Sequence, residues 1–262
     1  ITDDDYTALQ ERLPLDEDKS PIDFSKRILT RIFSNGRFDH GGRFYRAWWH
    51  NVPSEYRKYI TIDGKRTCEY DYSQLNPHMV YFLRGAKIGD EDAYDRVFDG
   101  EHRDIVKEAF NAMIQASTTL THKPKKLDLS EVDLDWPTLK QAILDAHKPI
   151  ADVFFQGHGN HLQFIDSCIA ENMMLNFIRA EDAPVLPVHD SFIMHYAYGE
   201  LGELEEEMRR SFHGHFKKDI NVTSEIGVML PSSFDGKEWS DLTFEEQIHG
   251  PPEYSQWEDR NS

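Results

Sequence analysis

Two aspartates, each set where a strand-forming run gives way to a turn, constrain this chain more than any other feature. Asp71 lies at the end of a predicted strand, Arg66 to Tyr72, and directly precedes a helix start. Asp190 lies at the apex of Val185-Leu-Pro-Val188, His189-Asp190, Ser191-Phe-Ile-Met-His195, which reads as strand, turn, strand. Apolar residues on both sides bury such strands and hold the turn still. A carboxylate at that place is carried by a rigid element yet points off the sheet edge, where a metal can reach it. For Asp71 alone, capping of the following turn is the competing reading, because Asp is common at such junctions.

The remaining elements set these two aspartates in one mixed chain. Residues 22–34 carry Ile22, Ile28, Leu29, Ile32 and Phe33 at mixed helical spacing, which predicts a helix ended by Asn35-Gly36. Gly41-Gly42 is expected to open an irregular arginine-rich segment. Tyr59-Ile-Thr-Ile62, the Asp63-Gly64 turn and the strand to Tyr72 predict a hairpin. A helix comes next, with Asn76 as its expected cap, Pro77 in its first turn and Gly85 past its end. Further helices are predicted at about 103–117, 137–147, 161–179 and 200–217, and a strand at Ile220 to Thr223. The fold class this implies is α/β (α+β). Residues 1–20 are acidic and weakly patterned, and the tail from Pro231 is polar and without clear regular structure.

Charge gives a divided signal. The chain carries 29 Lys and Arg against 47 Asp and Glu, a net charge of −18, which taken alone opposes contact with nucleic acid. Between Lys26 and Arg66, however, ten basic residues face three acids, Asp39, Glu55 and Asp63. Aromatic residues, among them Phe44, Tyr45, Trp48, Trp49 and Tyr56, are interleaved with them. A cationic stripe with π-faces suits backbone tracking and base stacking. The same residues also fit a core with a solvated cationic edge. No apolar run approaches the length of a membrane span, and no signal-peptide pattern opens the chain. Cys68 and Cys168 form no disulfide framework or metal spacing, so a reducing cytoplasmic setting is expected. The first residue is Ile1 and not Met, which suits a segment of a longer protein.

A third constellation lies between the two aspartates. Arg103, Lys107, Asn111 and Gln115 recur every four residues, so on a helix they form one polar stripe opposite Val106, Phe110 and Met113. Arg with its fork and Lys as a point charge can together clamp a triphosphate. An ordinary amphipathic surface helix is the alternative.

Taken together, these motifs resemble family A DNA polymerases and single-subunit phage-type RNA polymerases. Asp71-Tyr72-Ser73-Gln74 resembles motif A, Arg103 with Lys107 resembles motif B, and Val188-His189-Asp190-Ser191-Phe192 resembles motif C, in the family's order. Gly42-Arg43-Phe44-Tyr45, Trp48-Trp49 and Pro53-Ser54-Glu55-Tyr56-Arg57 resemble a run in small bacterial and phage polymerase-like proteins. The similar segments cover roughly 40–117 and 160–197. The resemblance implies a right-hand polymerase-like fold with an antiparallel palm sheet, a helical fingers insertion and a reduced or absent thumb. The implied layout is an N-terminal helical arm at 1–40, palm at 41–85 and 161–230, a fingers-like insertion at 86–160, and a tail at 231–262.

The resemblance also implies roles for particular residues. Asp71, Tyr72 and Asp190 would bind Mg²⁺ or Mn²⁺, with Asp71 and Asp190 catalytic. Two such ions ~3.5–4 Å apart activate a 3′-hydroxyl and neutralise the leaving pyrophosphate. Arg103, Lys107, Asn111, Gln115 and Asn76 would meet the nucleoside triphosphate. Arg43, Arg57, Trp48, Trp49 and His189 would meet the template or primer. Asn76 stands where the family carries a glutamate that excludes a ribose 2′-hydroxyl, and Gln115 and Ala116 replace the family's tyrosine and following glycine. The expected activity is nucleotidyl transfer. Its rivals are a catalytically degenerate polymerase-fold protein that binds nucleic acid or acts as a scaffold, and a two-metal nuclease. The acidic helix at 200–207 could dock a basic protein partner or be solvated. His158 and His161 lack a third ligand, Ser191 beside His189 and Asp190 is no serine triad, and no P-loop is present.

Overall fold

The computed structural model describes residues 22–226, apart from 63 and 131. Its centre is a five-stranded antiparallel sheet. β3 (Thr61–Ile62) and β4 (Lys65–Tyr72) form the expected hairpin, with Gly64 at φ +70° between them. Asp63, the turn's other residue, lies outside the described residues, as do 1–21 and 227–262, and so most of the arm and all of the tail. β5 (Leu186–Val188) and β6 (Ser191–His195) form the second hairpin, and β6 pairs with β4. β7 (Val222–Ile226) closes on the other edge of β4.

The two-residue period of β4 decides what each face does. Cys68, Tyr70 and Tyr72 face the helical layer with their cross-strand neighbours Phe192 and Met194, and all five are buried. The Tyr72 hydroxyl donates to the Met208 carbonyl at 2.7 Å, so this buried ring leaves no orphaned polar group. Glu69, Asp71, Ile193 and Ser191 share the opposite face.

Seven α-helices are described: α1 (Ser54–Arg57), α2 (Leu75–Leu83), α3 (Arg103–Gln115), α4 (Trp136–Ala146), α5 (Gly159–Glu181), α6 (Tyr196–Glu200) and α7 (Glu203–Phe216). The apolar row predicted for α5, Leu162, Ile165, Ile169, Met173 and Phe177, is buried throughout. α4 begins where Asp135 accepts a bond from the Thr138 amide at 2.8 Å, an N-cap with proline in the first turn. Between 86 and 160 the described residues hold helices and no strand. No helix among the described residues is long and apolar enough to cross a membrane.

Three expectations fail here. The helix expected at 22–34 is absent: Thr30–Phe33 is β1, paired antiparallel with β2 (Gly41–Tyr45), and Asn35-Gly36 lies in their connection. The apolar residues of that stretch do not share a face, since Phe24 is buried while Ile28 is 80% exposed, so no helical stripe forms. The N-terminal region described is therefore not a helical arm. β2 in turn replaces the irregular segment expected after Gly41. It lies directly on α5, and Gly42, at φ +86°, is needed there: a Cβ would come within 2.9 Å of the Phe33 ring and 3.1 Å of Ser167 Oγ. Asn76 does not cap α2 either. The cap position belongs to Gln74 in a left-handed conformation (φ +53°), whose side-chain oxygen accepts from the Ala93 amide at 2.6 Å.

Candidate active site

Register builds the site. In the β4–β6 pairing Asp71 stands opposite Ser191, so Asp190 is one residue from Asp71's partner and the two carboxylates meet at the same end of the sheet. A cleft of about 280 Å³ opens there. Its lining includes Asp71, Asp190, Arg43, Tyr94, Arg103, Lys107, Asn111 and Asn76, and also Tyr72, Ser73 and Thr223. Sheet, β2, the α2 start and one face of α3 thus converge.

The floor of the cleft is acidic, with Arg43, Arg103 and Lys107 on its walls. Asp71 is reached by solvent from the mouth of the cleft, yet the protein crowding around it, and then Asp190, push its carboxyl up to about 7, with Lys107 opposing. Lys107 is exposed and makes no ion pair among the described residues. Arg103 differs. Asp92 holds its guanidinium at 2.7 Å and Asp95 at 3.5 Å, and its charge lies over the Tyr94 ring at 5.3 Å.

Arg43 enters from β2 and donates through Nε to Asp166 of α5 at 2.5 Å. Asp166 is almost completely buried, and burial pushes its carboxyl up to about 7 against the pull of Arg43. Burial would lower the Arg43 guanidinium, but Asp166 and Asp190 outweigh it and hold the charge. Asp166 carries no sequence signal of its own; it reads as one more helix residue. Tyr94 and Thr223 are equally silent, since each joins the cleft only through tertiary contact.

Asn76 and Asn111 meet directly: the Asn76 amide donates to the Asn111 side-chain oxygen at 2.9 Å. Both line the cleft. The Tyr72 side chain points to the opposite face, so only its main chain is available to the cleft. Gln115 is not among the lining residues. It lies at the end of α3 with its amide packed over Gly159, where even a Cβ would collide with the Gln115 side chain.

The residues expected to meet nucleic acid divide. His189, adjacent to Asp190, sits in a left-handed turn conformation (φ +60°) open to solvent on one side, while the protein packed against the rest of its ring, followed by Arg43, lowers its pKa. Arg57 is committed to Glu69 through two bonds of 2.9 Å, and Ser191 Oγ also donates to Glu69 at 2.6 Å. Trp48 and Trp49 are corrected outright. They are 3% and 5% exposed, in a second core with Phe24, Val52, Ile60 and Ile193, and Trp49 Nε1 donates to the Pro187 carbonyl at 3.0 Å. Their rings support the β5–β6 hairpin from beneath and offer no face to a base. On α7, Glu205, Glu206 and Glu207 pair with Arg209 and Arg210 of the same helix, which neutralises part of the acidic run.

Among the described residues no group of three or more His, Cys, Asp or Glu is arranged to hold a metal ion. The donor set is instead the two carboxylates of Asp71 and Asp190, the second raising the cost of ionising the first, with open space before them. That set suits Mg²⁺, which keeps several waters and takes few carboxylates plus substrate oxygens.

No family model and no curated protein sequence matches this chain. Its fold is similar to a solved structure described as the POL domain of Pol1 from M. smegmatis in complex with DNA primer-template and dNTP. The similarity has a TM-score of 0.52 at 15% identity and covers 79% of this chain and 48% of that one, so the chain spans about half the length of the structure it matches. The mixed helix and antiparallel sheet arrangement is polymerase-like at that level.

Proposed function

We propose that this chain is a nucleic-acid polymerase core that adds nucleotides from a nucleoside triphosphate to a 3′-hydroxyl. In this reading the segments 41–85 and 161–230, which carry the five-stranded antiparallel sheet, form the palm, and the helical 86–160 segment is a fingers-like insertion. The observation that carries it is the convergence of Asp71 and Asp190 in one cleft with Lys107 and Arg103 on its wall.

Asp71 and Asp190, with main-chain oxygen at Tyr72, would hold Mg²⁺ or Mn²⁺. Such ions, when bound, supply charge neutralisation for a triphosphate and acidify an attacking hydroxyl. The chain's own residues do the rest. Lys107 offers its exposed ammonium to phosphate oxygens, and Arg103 adds its fork once phosphate displaces Asp92. Asn76 and Asn111 present neutral hydrogen-bonding groups toward the sugar side of a bound nucleotide. Arg43, fixed by Asp166, sets a positive charge beside Asp190.

A second reading, a catalytically degenerate polymerase fold that binds nucleic acid as a scaffold, is favoured by Gln115, which lies off the cleft, and by the carboxylates already on Arg103. Titration calorimetry with a nucleoside triphosphate separates the two. The active reading expects binding that requires Mg²⁺ or Mn²⁺ and is lost in Asp71→Asn. Binding of equal strength in chelator, or none at all, favours the scaffold.

A further inference from the structure

Beside the catalytic cleft lies a second groove, of about 840 Å³, with the opposite electrostatic character. Its walls carry Lys26 and Arg27 from the segment before β1, Tyr45 and Arg46 from the end of β2, and His50 and His189. Among the described residues no Asp or Glu lines it. In a chain of net charge −18, a concavity lined by three cations, two imidazoles and, among the described residues, no carboxylate runs against the sign of the chain as a whole.

The groove is built. The Lys26 carbonyl accepts from the Trp48 amide at 2.8 Å, which pins the basic segment to the second core. Arg46 is exposed, makes no ion pair among the described residues, and adopts a left-handed backbone (φ +75°), a costly conformation for a non-glycine residue. Asp23 lies 3.6 Å from Lys26, but both partners are about half exposed, so that pair is weak. Tyr45 lies 5.5 Å from the His189 ring in an edge contact, and His50 lies 6.3 Å from it. The aromatic wall is therefore continuous with the catalytic turn.

The two cavities share their parts in adjacent pairs. β2 supplies Arg43 to the cleft and Tyr45 to the groove; the turn supplies Asp190 to the cleft and His189 to the groove. We propose that this groove is the track for the phosphodiester backbone of a nucleic-acid strand that approaches the cleft past His189. Dispersed cations with an aromatic edge suit a repeating polyanion. That the strand's 3′ end lies at the turn rests on the polymerase reading; binding of the strand does not.

The test uses the full chain and a variant carrying Lys26→Gln, Arg27→Gln and Arg46→Gln, all exposed positions. Fluorescence anisotropy follows labelled single-stranded DNA, single-stranded RNA and a primer duplex across a salt series. Three neutralised contacts should flatten the slope of log K against log[salt] by about 2–3 and weaken binding at low salt by about 30-fold or more. Metal-dependent triphosphate binding should be unchanged. An unaltered slope and affinity in the variant, or no binding of any strand by the wild type, overturns the proposal. If the wild type binds strands through this groove yet extends no primer, the groove stands and the polymerase reading falls. If extension is intact and the variant's slope is unchanged, the groove falls and the polymerase reading stands.

Discussion

Arg43 donates through Nε to Asp166 at 2.5 Å, joining β2 to the middle of α5 on the wall of the cleft that holds Asp71 and Asp190. Removing one member of a buried pair leaves the other uncompensated, which costs about 3 kcal/mol or more. The cost should depend on pH, with its sign set by Asp166. The carboxyl sits near 7 in the fold against 3.8 ordinarily, so from about pH 4 upward the unfolded chain ionises it more readily, and stability falls as pH rises. Arg43→Ala raises it further. Urea unfolding of Arg43→Ala should show a loss that grows from pH 5 to pH 8, and adding Asp166→Asn should remove that growth. A loss independent of pH in both would break the assignment.

Trp48 and Trp49 test whether core or ligand claimed the interleaved aromatics. Trp48→Ala should destabilise by about 3–5 kcal/mol through cavity formation. Trp49→Phe should cost about 1 kcal/mol through the bond lost to Pro187, while the affinity for single strands measured by anisotropy stays within twofold.

His147 predicts a separate acid sensitivity, in the helical 86–160 segment. It is fully buried, shares a 3.0 Å hydrogen bond with the Tyr81 hydroxyl, and is lowered to about 4 by burial and then by Arg96. The folded imidazole stays neutral while the unfolded one protonates, so stability is lost as pH falls from about 6.5 to 4. The contribution is on the order of 3 kcal/mol at the acid end. Chemical denaturation of His147→Phe between pH 4 and pH 7 should show a shallower dependence than the wild type.

Lys107 and Arg103 should separate by their partners. Lys107 is exposed and has no ion pair among the described residues, so Lys107→Ala should leave the melting temperature almost unmoved and weaken triphosphate binding about tenfold, ~1.4 kcal/mol. Asp92→Asn should strengthen triphosphate binding, because the phosphate no longer competes for the Arg103 fork. Calorimetry at fixed Mg²⁺ reads both.

Local chemistry was legible where it was also decisive. The Val188–Ser191 turn, the Asp71 strand end and the polar stripe of α3 could be read because alternation, turn residues and the four-residue period each act over a few positions. Arg103, Lys107 and Asn111 then reached the cleft because the helix period is rigid. Gln115 did not, since the stripe drifts and its last member ends over Gly159. The failures share a cause. Thr30–Phe33 is a strand because β2 pairs with it, and Asp166 matters because Arg43 reaches it across 123 positions of sequence. The partner of Asp166 is remote in sequence, and that of β1 lies across a seven-residue connection, 34–40. Trp48 and Trp49 could be read as stacking platforms or as core, and only burial distinguishes the two.

The proposed metal-dependent nucleotidyl transfer by Asp71 and Asp190 acting together is tested most directly by primer extension. The assay uses a labelled DNA or RNA primer-template, ribo- and deoxynucleoside triphosphates, and Mg²⁺ or Mn²⁺. The wild type should add nucleotides to the 3′ end, and Asp71→Ala and Asp190→Ala should each lower the rate by about 10³-fold or more while remaining folded by circular dichroism. Equal extension by all three proteins, or none by the wild type with either metal, would contradict it.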